Sequence, residues 1–73
     1  MRVLGIDPGL RTAGYGCIDL VGNATSPQLV EAGAISLDTD KTVSFRLKQL
    51  HSDLSEIILD LAPEVLAVEK IFT

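Results

Sequence analysis

With 73 residues the chain holds one domain at most, and a core of that size stabilises a fold weakly unless metals, disulfides or partners add to it. Hydrophobic residues at 47% and charged residues at 22% exclude a disordered chain of high charge and low hydrophobicity. The net charge of −4 runs against a surface built to meet phosphates directly, but carboxylates have a second use, holding divalent cations that then meet the phosphate.

The single cysteine, Cys17, has no partner for an internal disulfide, which fits a reducing compartment. The opening apolar run from Val3 to Ile6 meets Asp7 at once and is too short for the hydrophobic region of a leader peptide. No stretch has the apolar length of a membrane span. A cytoplasmic protein with no membrane association is expected.

In chain order, residues 2–6 are rich in Val, Leu and Ile and suit a strand buried on both faces. Asp7, Pro8 and Gly9 stop it, because proline cannot donate to a ladder and glycine admits turn conformations closed to other residues. A second strand is expected over residues 12–20, then a turn from Gly22 to Pro27 dense in turn formers, then a third strand over residues 28–37.

From Thr42 to Ala62 the period changes. Val43, Leu47, Leu50, Leu54, Ile57, Ile58 and Leu61 recur at spacings of three and four, with Ser44, Lys48, Ser52, Glu56 and Asp60 between them. That spacing predicts an amphipathic helix, capped by Asp40 or Thr42 and ended by Pro63. Residues 65–68 then read as a short buried strand finishing in Glu69. The order is β-β-β-α-β in an α/β chain. If the last strand lies parallel to the first, Asp7 and Glu69 reach the same edge of the sheet, where hard oxygen ligands suit magnesium or manganese.

Taken singly, these residues have plainer readings. Asp7 before Pro8 and Gly9 also suits a turn that accepts backbone hydrogen bonds, and Glu69 a solvated strand end. Gly14 and Gly16 share one strand face, as a bulge or a close approach requires. His51 flanks the helical stripe at a surface position. Asp53, Glu56 and Asp60 form a wet helical face.

Leu4-Gly5-Ile6-Asp7-Pro8-Gly9 with Gly14-Tyr15-Gly16, followed far downstream by Val68-Glu69-Lys70-Ile71-Phe72, resembles the opening and second motifs of RuvC-type Holliday junction resolvases. The resemblance covers essentially the whole chain. It implies a ribonuclease H-like mixed sheet, here in partial form, with residues 1–73 as the N-terminal portion of a single nuclease domain. It implies a homodimer that cuts four-way junction DNA in recombination and repair, alongside the branch-migration proteins RuvA and RuvB. Asp7 and Glu69 would be catalytic ligands of Mg2+, with Mn2+ as a substitute, in a two-metal hydrolysis of the phosphodiester. Phe72, which in isolation reads as a core residue, would stack on or wedge against unpaired bases. Apart from the resemblance, Lys70 and Arg11 could touch DNA phosphates, although lone basic residues at strand ends are usually solvated.

The family completes its site with two further acidic or histidine ligands that have no counterpart here. The chain is therefore expected to be an incomplete piece with little cleavage of its own. Two other readings stand beside this one. An actin-like or sugar-kinase-type ATPase also places an aspartate and glycine after a buried strand, but with a small hydroxyl residue directly after the glycine, where this chain has Leu10 and Arg11. A non-catalytic remnant would fold without chemistry. The nuclease-like group acting on ribosomal RNA precursors shares the fold and a similar opening, but not the details around Asp7 and Glu69.

Overall fold

The computed structural model describes residues 1–22 and 26–69. Its elements are β1 (Arg2–Asp7), β2 (Thr12–Asp19), β3 (Gln28–Ser36), α1 (Val43–Leu61) and β4 (Val65–Val68). The strands form one sheet in the order β3-β2-β1-β4. β1 runs antiparallel to β2 and parallel to β4, so the chain returns through α1 to lie beside its own beginning.

Strand alternation decides what each face holds. On β1, Leu4 and Ile6 are buried and lie opposite Cys17 and Tyr15 of β2. Leu54, Ile57, Ile58 and Leu61 of α1 pack on the cluster of Leu4, Ile6 and Cys17. Further along the helix, Leu50, Leu54 and Ile57 cover Ala13, Ile35 and Leu37. From Leu50 to Leu61 the helical stripe read from the sequence is thus the lid of one sheet face, whereas its first two members, Val43 and Leu47, extend beyond the packed region and are exposed. Leu4 and Cys17 are the two large side chains removed entirely from solvent, and burying a side chain of Leu size contributes about 1.5–3 kcal/mol.

The ends of α1 are set by local chemistry. Thr42, extended at φ −63° and ψ 160°, caps the start by accepting from the Phe45 N–H. Ala62 closes the end in the left-handed region at φ 48° and donates to the Ile58 carbonyl, just before Pro63 prevents continuation. Arg2 gathers three elements beneath that end. Its Nε and Nη2 fork onto Asp19 of β2 at 2.9 and 3.1 Å, and its Nη1 donates to the Leu61 carbonyl at 2.8 Å. A guanidinium suits the negative end of the helix dipole. Glu64 then opens β4 by exchanging bonds with Arg2, its N–H donating to the Arg2 carbonyl and its Oε1 accepting from the Arg2 N–H.

Two expectations need correction. β4 is exposed at every position, with Leu66 and Val68 at 49% and 61%, and not a buried strand. β1 is buried on the α1 face alone, since Val3 and Gly5 on its other face are only half-buried. Both differences have one cause. Among the described residues α1 is the single helix, it sits over β1, β2 and the end of β3, and no second layer lies on the opposite face or beyond β4.

Candidate functional site

Register builds the site. β1 and β4 run in parallel with Ile6 opposite Val68, and the Glu69 N–H extends the ladder by donating to the Ile6 carbonyl at 3.0 Å. Asp7 and Glu69 are the next residues on the two strands. Neighbouring strands lie about 4.8 Å apart, so the two carboxylates leave the sheet side by side. Because Leu4 and Ile6 face α1, alternation sends Asp7 to the opposite, open face. Both residues line a shallow concavity of about 530 Å³ there, floored by Gly5, Gly14, Gly16 and Ala67.

The electrostatics agree with the geometry. Glu69 is held above its ordinary range first by a side-chain hydrogen bond to Asp7, next by the charge on Asp7, and last by partial desolvation. A proton shared between the pair is one way to relieve two adjacent negative charges, and a divalent cation is the other. Two hard oxygen donors at one edge therefore fit magnesium or manganese as part of a coordination sphere. Among the described residues no group of three or more His, Cys, Asp or Glu side chains gathers, so the two carboxylates stand as a pair.

The connection after Asp7, residues 8–11, is shaped by Gly9. A Cβ there would collide with the Thr12 carbonyl oxygen, so a side chain would force the turn open. The turn is tied at two further points. The Arg11 carbonyl accepts from the Leu37 N–H at 2.8 Å, and the Leu10 carbonyl accepts from Nη1 of Arg46 on α1 at 2.8 Å. The Arg46 bond is absent from the sequence reading. The signal that points to it is a cation in the first turn of a helix, where the dipole disfavours positive charge.

Other motif residues fall into place around this edge. Gly14 pairs with Asp7 and Gly16 with Gly5 across β1 and β2, and a Cβ at Gly16 would meet nothing within 4 Å. Tyr15 between them faces α1, where its hydroxyl donates to Glu31 at 2.8 Å, a bond that raises its pKa. Its ring fills the space over Gly33, where an added Cβ would come within 2.8 Å of the hydroxyl. Tyr15 is thus a cross-strand prop on the face away from the carboxylates. Arg11 is exposed in the turn, and His51 is exposed on α1. Cys17 is fully buried and free. Lys70 and Phe72 lie outside the described residues. No helix among the described residues is long and apolar enough to cross a membrane.

The family described as crossover junction endodeoxyribonuclease RuvC matches residues 3–73. The protein of that name from Syntrophotalea carbinolica is 49% identical over 72 residues, which cover 99% of this chain and 44% of the relative. The Bartonella tribocorum protein of the same name is 46% identical, with 99% and 41% covered. The solved structure of Thermus thermophilus RuvC matches with a TM-score of 0.86 at 27% identity, over 100% of this chain and 45% of that one. The structure of T. thermophilus RuvC in complex with a Holliday junction substrate matches at 0.83 and 28%, over 100% and 46%.

The chain spans less than half the length of these relatives. Its mixed sheet of β-β-β-α-β order matches part of the ribonuclease H-like fold that the two motifs implied, and the match over nearly all its residues decides against the actin-like alternative. By sequence motif, sheet topology and alignment alike, the chain belongs to the RuvC family.

Proposed function

We propose that these residues form the N-terminal portion of a single nuclease domain that cuts four-way DNA junctions by metal-dependent hydrolysis of a phosphodiester. The observation that carries the reading is the adjacency of Asp7 and Glu69 at the ends of parallel strands, in a chain of this family.

Asp7 and Glu69 would hold Mg2+, or Mn2+ in its place, and the cation when bound supplies Lewis acidity toward the phosphate and the attacking water. The chain's own contribution is positional. β1 and β4 fix the spacing of the two carboxylates, the turn at residues 8–11 fixes the backbone beyond Asp7, and the Gly and Ala floor lets a bulky group approach the sheet closely. Arg11 lies on the turn next to Asp7 and suits a phosphate contact. Lys70 and Phe72 follow Glu69 in sequence, and the same reading gives them a phosphate contact and a stacking role against unpaired bases. The whole protein would act as a cytoplasmic homodimer in recombination and repair, with RuvA and RuvB as partners. A partial ligand set places a metal poorly, so residues 1–73 alone are expected to cut little or not at all.

The test is a full-length chimera joining these residues to the remainder of S. carbinolica RuvC, assayed on a synthetic four-way junction with Mg2+. The chimera should cut, and its Asp7→Asn form should lose more than the roughly 10–100-fold that removal of an outer-shell partner costs. Undiminished cutting by Asp7→Asn would remove the assignment.

A further inference from the structure

We propose that Arg46 is a positioning residue for this site, acting through the turn that follows Asp7. The proposal rests on the nuclease reading above and adds a residue from the opposite layer of the fold.

Arg46 lies in the first turn of α1, where its own N–H closes the helix by donating to the Thr42 carbonyl at 3.0 Å. A cation there is at odds with the positive end of the helix dipole, and the first turn carries no acidic residue to offset it. Its Nε is buried and makes no hydrogen bond, which adds a desolvation cost. An aliphatic side chain of similar length avoids both costs. What the guanidinium gains is one long-range bond, from Nη1 to the Leu10 carbonyl at 2.8 Å, spanning 36 positions of sequence.

The location of that bond gives it meaning. Asp7 ends β1, and the residue after it is Pro8, which has no N–H to anchor the backbone. The turn from Pro8 to Arg11 is instead held at its far side, by Leu37 on the Arg11 carbonyl and by Arg46 on the Leu10 carbonyl. The Leu37 bond joins the turn to the end of β3. The Arg46 bond joins it to α1, the layer packed under Leu4 and Ile6. Arg46 therefore locks the turn to the same rigid body that holds β1, and with it the direction in which Asp7 leaves the strand. Misplacement of a reacting group by about 1 Å costs up to roughly 100-fold in rate.

The experiment uses the full-length chimera with Arg46→Met and Arg46→Lys, measured for junction cleavage, junction affinity and thermal unfolding. Methionine keeps the unbranched stem as far as the Nε position and removes the guanidinium donors. Lysine restores a cationic donor group on a single nitrogen. The parent must cut the junction with Mg2+; a parent that does not cut refutes the nuclease reading itself and is recognised before any variant is made. With an active parent, Arg46→Met should fold, melt close to the parent and bind the junction with unchanged affinity. Its kcat should fall on the order of 10-fold or more, its half-saturating Mg2+ concentration should rise, and Arg46→Lys should recover most of the rate. A kcat within about twofold of the parent in Arg46→Met would overturn the proposal. So would loss of the fold or of junction affinity in that variant, because Arg46 would then be a structural or a DNA-binding residue.

Discussion

Ile6 of β1 and Val68 of β4 face each other in parallel register, and that single pairing is what sets Asp7 and Glu69 side by side. A slip of one residue would send Glu69 to the α1 face, away from Asp7. The register is held at the other end by Glu64, which bonds Arg2 through both its N–H and its carboxylate.

The carboxylate pair makes stability depend on pH in an unusual direction. Glu69 is raised above its ordinary value of 4.5, chiefly through its hydrogen bond to Asp7. The folded chain then binds more protons than the unfolded one between the ordinary and the raised pKa, so stability falls as pH rises through that window. Melting temperatures of the full-length chimera and its Glu69→Gln form, followed across pH without divalent cations, should diverge across that window, with the parent falling as pH rises. Mg2+ should suppress the decline in the parent.

Arg2 and Asp19 give the opposite sign. Asp19 is held below its ordinary value, first by the hydrogen bond from Arg2 and then by its charge. The contribution is complete above the unfolded pKa of a carboxylate and is lost as pH falls through the lowered one. Asp19→Asn should melt lower than the parent near neutrality, and the gap should close in acid. Because both side chains remain about a third exposed, added salt should narrow the gap as well.

Leu4 is wholly buried where β1, β2 and α1 meet. Leu4→Ala should cost about 2–5 kcal/mol in denaturant unfolding, with an unchanged slope against denaturant. A loss under about 1 kcal/mol would mean that the packing of α1 on Leu4 is absent in solution.

Ala62 offers a stabilising change. It sits at φ 48°, a region that costs a residue with a Cβ roughly 1–2 kcal/mol and glycine almost nothing. Ala62→Gly should raise stability by about 1 kcal/mol, and Gly9→Ala should lower it by about 1–3 kcal/mol through its clash with the Thr12 carbonyl. Both are read by the same unfolding measurement.

Much of this structure was legible in the sequence, for reasons particular residues make plain. The stripe from Leu50 to Leu61 has a periodicity that only a helix satisfies, Thr42 is a strong capping residue, and Pro63 fixes the far end. Asp7-Pro8-Gly9 marks a strand end without ambiguity. The exposure of β4 was not legible, because Val65 to Val68 are apolar and local sequence cannot say whether a second layer exists to cover them. Nor was the irregularity between Cys17 and Ile18, where β2 shifts register against β3. The Arg46 bond to Leu10 joins residues with no shared periodicity, and only the assembled fold brings them together. At the site itself, sequence order gave the two carboxylates and the parallel return gave their meeting.

The most direct test of the carboxylate pair is a double-mutant cycle on junction cleavage by the full-length chimera, with Asp7→Asn, Glu69→Gln and both together, across a Mg2+ titration. Two ligands of one cation act as a unit, so each single change should abolish most of the rate and the double change should add little to either. Independent, multiplicative losses, or a single variant that cuts like the parent at every Mg2+ concentration, would contradict a metal held between Asp7 and Glu69.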